Sequence, residues 1–344
     1  MMLFEKLNIA NIFIGYQKNK QIKMGIKNLN RFLRDNCSKK AITKKHLSYF
    51  KNKTVVIDTS IYLYKFASEG SLMESMYLFI SVLKSYYITP LFIFDGKPPP
   101  EKKDLLRQRK LEKKDAEQKY NALQVKLQST NDNEESKEIL QEMESLKRQM
   151  VKIRDEDTQK IKRLMDAYGV VYYDAPGEAD RLCAYLLKIN KAWGCISDDM
   201  DMFLYGCRYV IRSLSLMNHT AIIYDTEKIL SELEMTENQF CEIMVLSGTD
   251  YNIDSNTCLH ETIKWYYEYM KYVKKTDNPY GFYVWLLKNT KYIIDYGRLL
   301  NTYKIFQFNN NMDLENWDNI EVVEKPMNKE LLKEIMGKDG FMFV

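Results

Sequence analysis

The sequence predicts an α/β protein with a central, mostly parallel sheet flanked by helices, a projecting helical hairpin and a helical C-terminal region. Three observations predict it. Short apolar runs rich in β-branched and aromatic residues end in aspartate, as buried parallel strands do where they open onto a cleft. Stretches of helical periodicity separate those runs. From Lys97 to about Tyr168 the composition shifts to dense charge.

TVVID (54–58) and LFIFD (91–95) read as buried strands, and SLMESMYLFISVLKSYY (71–87) between them as a helix, giving a βαβ unit. The charged stretch reads as a helix over 101–128, a break at STNDNEES (129–136) and a second helix over 137–167. In that second helix Ile139, Met143, Leu146, Met150 and Ile153 form a heptad-like seam. Two charged helices joined by a polar tip can project from the body as a hairpin. Further on, VVYY (170–173) is a third strand, EADRLCAYLLKI (178–189) a helix, and WGCIS (193–197) a fourth strand running into DDMD. AIIYD (221–225) is another strand, and 226–246 is helical. Beyond about 258, aromatic-rich helices alternate with polar loops, and KPMNKELLKEIMG (325–337) is the clearest late helix. The organisation expected is an extension (1–23), a first α/β region with one hairpin helix (24–128), the second hairpin helix (129–168), an internal region (169–257) and a helical C-terminal region (258–344).

Composition narrows the function classes. Hydrophobic residues at 45% and charged residues at 28% are ordinary for a globular chain, and a net charge of +4 proves no nucleic-acid partner. The six cysteines form no C-x-x-C pair and the histidines are His46, His219 and His260, so a zinc site is poorly supplied. The cysteines read as reduced core residues, which points to an intracellular location. No apolar run reaches the ~20 residues of a membrane span, and charges and asparagines interrupt the opening MMLFEKLNIANIFIGYQ, against a secretory signal.

The chemistry lies in the carboxylates. Ligands of open α/β sheets gather outside the carboxyl ends of the strands, where Asp58, Asp95 and the Asp199/Asp201 pair are expected. Glu178 and Asp180 fall in the first turn of a helix, and Asp250 in SGTDY follows a helix and a glycine. If DDMD stays extended, Asp199 and Asp201 face one cleft. Singly, each acid reads as a helix cap or a solvated loop residue; jointly they make an all-oxygen site for a hard cation, Mg²⁺ or Mn²⁺. Two ions ~4 Å apart would suit phosphodiester hydrolysis.

MGIKNLNRFLRDN (24–36), VVIDTSIYLYKF (55–66), FIFDGKPPPEKKDLLRQRK (92–110), YDAPGEADRLCAYL (173–186), ISDDMDMFLYG (196–206) and SGTDY (247–251) together resemble the successive signatures of the flap endonucleases, in the family's order. The resemblance implies a PIN-like 5′ nuclease fold with a basic helical arch. It implies a structure-specific 5′ nuclease, with flap endonuclease and 5′→3′ exonuclease activity, used in replication, repair and recombination. Two Mg²⁺ ions would be held by Asp58, Asp95, Glu178 and Asp180 nearest one ion and Asp199, Asp201 and Asp250 at the second, with Mn²⁺ able to substitute. The family usually has Glu where Asp180 stands. Lys102 and Arg109 match basic residues that contact the scissile phosphate. Their spacing of seven residues puts them on one helical face. Tyr64 matches an aromatic on which a base stacks, and Gly25 and Lys97 match positions close to DNA. The implied partner is branched DNA with a 5′ flap or free 5′ end, bound by a monomer, with no membrane.

Three departures accompany the resemblance. No arginines stand near Ser71 and Phe79, where the family holds phosphates. YNIDSNTCLHETIKWYYEY (251–269) lacks the glycines and basic residues of the family's duplex-gripping, monovalent-ion-binding helix-two-turn-helix. No sliding-clamp-binding motif is visible at the end. Residues 1–23 precede the methionine, Met24, at which family members begin, so the extension folds away or Met24 is the start. The lysine- and asparagine-rich style suits an AT-rich eukaryote or a large DNA virus, and hence the nucleus or a cytoplasmic replication site. The competing reading is a catalytically inactive nuclease-fold scaffold binding nucleic acid or protein; complete retention of the acids argues against it. A DxD-type phosphatase would not need Glu178, Asp180 and Asp250.

Overall fold

In the computed structural model of the chain, residues 26–129, 133–252, 257–308, 317–338 and 340–341 are described, and among them seven strands form one sheet. The strands are β1 (Ile42–His46), β2 (Thr54–Asp58), β3 (Thr89–Phe94), β4 (Val171–Asp174), β5 (Gly194–Ile196), β6 (Tyr209–Ser215) and β7 (Thr220–Asp225), in the order β1-β7-β6-β5-β2-β3-β4. From β6 to β4 every pairing is parallel, whereas β7 and β1 add antiparallel partners at one side. The mostly parallel sheet is therefore present, and the apolar runs around Asp58, Asp95, Tyr172 and Ile196 supply its strands.

Strand β2 sits inside the sheet and is covered on both faces. Val56 packs on one side with Leu182 and Leu186 of α7 (Ala179–Lys188). Val55 and Ile57 pack on the other with Phe79 of α3 (Leu72–Ser85) and Leu164 of α6 (Asp155–Tyr168). All three strand side chains are fully buried, which accounts for an unbroken apolar run in place of alternation. A helix that the sequence reading left out, α2 (Thr59–Ser68), follows β2 directly. Strands β1 and β6 also went unread. The run ITKKH sits at the sheet edge with Lys44 exposed, where lysine discourages further pairing, so it carries no apolar signature. In β6 the pairing with β7 shifts register between Arg212 and Ser215, and Ser213 adopts a positive φ of 51°.

The charged stretch forms a hairpin of α4 (Lys103–Ser129) and α5 (Asn133–Gln149). Ile139, Met143 and Leu146 of the expected seam are buried. The expected second helix over 137–167 is in fact two helices, because α5 ends at Gln149 and α6 begins at Asp155. The Arg154 amide donates to the Asp157 carboxylate (3.0 Å), and Asp155, Glu156 and Asp157 fill the first turn of α6, a helix start written into the middle of the stretch. The expected break is also shorter: Glu134–Ser136 are already helical, and 130–132 lie outside the described residues. Similarly, 226–246 divides into α8 (Thr226–Glu232) and α9 (Glu237–Leu246), the latter opened by a Thr236–Gln239 capping box.

Helices α10 (Leu259–Val273), α11 (Phe282–Asn289) and α12 (Tyr296–Ile305) form the aromatic-rich region packed around α9, and α13 (Lys329–Lys338) packs against α6. No described helix is long and apolar enough to cross a membrane. Of the six cysteines, Cys183, Cys195, Cys207 and Cys241 are buried, Cys37 is half-buried and Cys258 exposed, and none is disulfide-bonded.

Residues 325–328 are not helical as expected. They dock as extended chain, with the Lys325 amide donating to Gly169 O and the Asn328 amide to Ala167 O, both at 2.8 Å. Gly169 ends α6 with φ 71°, and a β-carbon there would lie 2.0 Å from Lys325 O. Gly169→Ala should therefore combine left-handed strain with a backbone clash and cost about 2–3 kcal/mol. Urea denaturation reads the loss directly; an unchanged midpoint would contradict this account of the docking.

Candidate active site

The carboxyl ends of β2, β3 and β5 lie side by side, and each delivers an acid. Asp58 is the last residue of β2 and is buried. Ser197, just past β5, donates to its Oδ2 (3.2 Å), and Asp180 hydrogen-bonds to it from the first turn of α7. Asp95 follows β3 and accepts the Ala179 amide (2.8 Å), so it satisfies the start of α7. Gly96 permits this junction. Its amide donates to Gly177 O (2.7 Å), and a β-carbon there would meet Ala175 O at 2.0 Å.

The DDMD segment does not stay extended. Asp201 opens a 3-10 turn (Asp201–Phe203), and its amide donates to Asp199 Oδ1 (2.9 Å), while the Asp199 amide donates to Ser197 Oγ (3.1 Å). The fold thus turns both acids inward, each buried. Asp198 is excluded from the group, because its carboxylate accepts the Ser213 amide (2.9 Å) and faces Arg212. Asp250 is positioned by its own loop. Asn252 accepts from the Thr249 amide (2.6 Å) and donates to Val245 O (2.8 Å), which pins SGTDY against the end of α9.

Glu178 occupies the N-cap of α7 without making a capping hydrogen bond. Its Oε2 instead receives the Lys102 ammonium (2.6 Å) and the Tyr251 hydroxyl (2.6 Å), and Lys102 also lies 5.2 Å from the centre of the Tyr251 ring. Arg109, on α4, reaches Asp250 Oδ2 (2.9 Å). The two basic side chains at the hairpin base therefore enter the acid cleft together. Tyr64 stands on α2 with 47% of its surface exposed and Lys113 5.1 Å over its ring. Lys97 is exposed beyond Asp95. Gly25 and the 1–23 extension lie outside the described residues. Phe79 is buried and Ser71 pairs with Ser75 (2.8 Å), so neither position supplies a cation. Of the degenerate 251–269 segment, 253–256 lie outside the described residues.

Electrostatics set this cluster apart. Burial, then repulsion from Asp95 and Asp199, pushes the Asp58 carboxyl up to about 7. Burial raises Asp180, Asp199 and Asp201 as well, with neighbouring carboxylates adding to it. Burial works against charge on Lys102, yet Glu178, Asp180 and Asp201 outweigh it and hold the ammonium above its ordinary range. One buried acceptor, Asp201 Oδ1, has no hydrogen-bond partner. Among the described residues no group of three or more His, Cys, Asp or Glu side chains is closed around a single point as a bound ion requires; Lys102 and Arg109 supply the positive charge. The donor set is nonetheless all-oxygen and under-neutralised, buried at Asp58, Asp180, Asp199, Asp201 and Asp250 and open to solvent at Asp95, which suits a hard divalent cation entering from that side. Tyr251 and Ser197 were missed in the sequence. Neither is acidic, and only adjacency to Asp250 and Asp199 could have drawn attention to them.

Comparison with known proteins places this arrangement. The XPG N-terminal domain profile matches residues 24–116 and the XPG I-region profile residues 169–250, together about half of the chain. The distal hairpin lies between the two matches. Flap endonuclease 1 of Glycine max is 32% identical over 247 residues, 66% of this chain and 62% of the relative. Flap endonuclease 1-A of Sorghum bicolor is 33% identical over 249 residues with the same coverage. The chain thus spans less than two thirds of the length of these relatives. Among solved structures, the catalytic core of Rad2 in complex with DNA substrate superposes with a TM-score of 0.63 at 22% identity, covering 91% of this chain and 94% of that one. Flap endonuclease-1 from Methanococcus jannaschii gives 0.57 at 19% identity, covering 87% and 90%. These likenesses show the fold. With both XPG regions present in order around the acid cleft, this chain belongs to the XPG–flap endonuclease family.

Proposed function

We propose that this chain is a structure-specific 5′ nuclease that hydrolyses phosphodiester bonds in branched DNA near a free 5′ end. The observation that carries the reading is the entry of Lys102 and Arg109 into a cleft of seven acids at the carboxyl ends of β2, β3 and β5. The relatives named flap endonuclease 1, and the solved Rad2 core in complex with DNA substrate, support the substrate class.

Asp58, Asp95, Glu178 and Asp180 would hold one Mg²⁺, and Asp199, Asp201 and Asp250 a second, with Mn²⁺ as a substitute. Such ions supply Lewis-acid stabilisation of charge developing on the phosphate and leaving oxygen. The chain's own residues do the rest. Lys102 and Arg109 carry fixed positive charge to the cleft and can exchange their carboxylate partners for phosphate oxygens, where they offset charge in the transition state. Tyr251 holds Glu178 and Lys102 in one geometry through its hydroxyl and ring. Tyr64 offers an exposed ring for a base beside the cleft, and Lys97 and the basic face of α4 lie along the path of the strand. Basic charge belongs to α4, which carries eight basic and four acidic residues, whereas α5 carries three and five.

A 5′-flap oligonucleotide with Mg²⁺ should be cut near the junction by the full chain. Asp199→Ala should abolish cutting, and Lys102→Ala or Arg109→Ala should each lower the single-turnover rate by roughly 10²–10³-fold. Wild-type rates in Asp199→Ala would sink the proposal.

The acid cluster also has a cost in stability. A carboxyl raised in the folded state favours folding fully below its unfolded pKa of 3.8 and loses that contribution as pH climbs to its folded value, about 7 for Asp58. In EDTA the chain should therefore become less stable between pH 4 and 7. Asp201→Asn, which removes one buried charge, should raise the thermal midpoint at pH 8 in EDTA by roughly 2–4 °C while destroying activity. A lowered midpoint at pH 8 would show that Asp201 stabilises the fold as an anion, contrary to this account.

A further inference from the structure

The segment Lys39–Lys53, which ends at the start of β2 on the side of the sheet opposite the acids, carries six lysines and no acid. It contains β1 and runs into the start of β2, five residues and therefore about 16 Å from Asp58 along the strand. Its lysines meet its own Tyr49 and the aromatic residues that precede β3 and β5, Tyr87 and Trp193. Lys53 lies 4.0 Å from the centre of the Trp193 ring and 5.6 Å from that of Tyr49, and Lys45 lies 5.2 Å from Tyr49. Trp193 stacks on Tyr209 with ring centres 4.3 Å apart. Beside them, the Asn52 amide donates to Tyr87 O (2.8 Å), and Lys51 lies 5.0 Å over the Tyr87 ring. Tyr49 and Tyr87 are 48% and 67% exposed. Nearby cations are answered by carboxylates, Arg208 by Glu227 (2.9 Å) and Lys228 by Asp225 (2.8 Å). Lys45, Lys51 and Lys53 instead rest on rings.

We propose that this face is a second nucleic-acid surface, which takes single-stranded DNA through phosphate contacts to Lys45, Lys51 and Lys53 and base stacking on Tyr49 and Tyr87. Alternating ammonium groups and exposed ring faces match a backbone of fixed charge spacing whose bases are free to turn outward. A duplex keeps its bases stacked internally and would use the lysines alone. The carboxylate side chains of an acidic stretch have no rings and would likewise use the lysines alone. Lys51, Lys53, Tyr87 and Trp193 sit just before β2, β3 and β5, at the ends of those strands opposite the acids, and the proposal does not depend on what the acid cleft does.

Fluorescence anisotropy with a labelled oligo-dT strand, on the full chain in EDTA, tests it. Lys45→Ala/Lys51→Ala/Lys53→Ala should weaken binding about tenfold at 0.1 M salt and reduce the slope of log affinity against log salt by about 2, three contacts at ~0.7 each. Lys45→Ala/Lys51→Ala, which leaves Lys53 on Trp193, should show about two thirds of that change in slope and a wild-type unfolding midpoint. Tyr49→Ala/Tyr87→Ala should weaken binding at least fivefold with the slope unchanged. Photo-crosslinking with 4-thiothymidine should label the peptides carrying Tyr49 or Tyr87. Unaltered affinity and slope in the lysine variants, or crosslinks confined to 97–126, would overturn the proposal. So would equal competition by blunt duplex or by poly-glutamate, which would assign the face to a generic polyanion or an acidic protein.

Discussion

Bringing seven carboxylates to one cleft in a mostly buried setting is the constraint to which the rest of this structure answers. Asp58, Asp180, Asp199, Asp201 and Asp250 give up water and meet like charge, and neither cost is recovered by hydrogen bonding alone. Among the described residues Lys102 reaches Glu178 and Arg109 reaches Asp250. Burial first, and repulsion between neighbouring carboxylates after it, raises Asp58, Asp180, Asp199 and Asp201 together, so the charged form is the costly one at each. A site built this way is tuned to receive positive charge. It trades stability for that capacity, and the trade falls on the side chains assigned to the chemistry.

The scaffold bears this load through its backbone. Three neighbouring parallel strands end at the same level, so acids distant in sequence arrive side by side. Backbone amides of Ala179 and Asp201 donate to Asp95 and Asp199, and Ser197 bridges Asp58 to the Asp199 amide. At Gly96 the chain passes so near Ala175 that any side chain would collide, which couples the end of β3 to the start of α7. These donors fix Asp58, Asp95 and Asp199 before any ligand enters, and the rearrangement left to binding is the exchange of partners by Lys102 and Arg109 at Glu178 and Asp250.

Legibility in the sequence followed the strength of local signals. Strands buried on both faces, such as TVVID and LFIFD, were readable because burial imposes unbroken apolar runs. Edge strand β1 was not, since its lysines answer to solvent and not to a core. The helix break at 150–154 was hidden within a seam whose apolar spacing carries on past Gln149; the capping chemistry of Arg154 and Asp157 was the available clue. At the site, the positions of the acids were legible from strand ends, but the bend that turns Asp199 and Asp201 inward was not. That bend depends on the local contact of the Asp199 amide with Ser197 and on Asp198 being drawn away by Ser213 on β6, a pairing between elements that no spacing rule encodes.

The hairpin shows the same economy in its charges. Basic residues concentrate on α4, whose base enters the cleft, and acidic residues on α5, with Lys126 and Glu135 paired across the two helices (2.7 Å). A uniformly basic arch would attract a strand to every surface it presents. An acidic second helix confines attraction to one side, because like-charge repulsion penalises the wrong approach as firmly as opposite charge favours the right one. Lys113 ties the two ends together, donating to Val151 O (2.8 Å) while standing over Tyr64. On the proposed function, this polarity would point a strand toward Lys102 and Arg109, at the base where the fold has gathered under-neutralised negative charge.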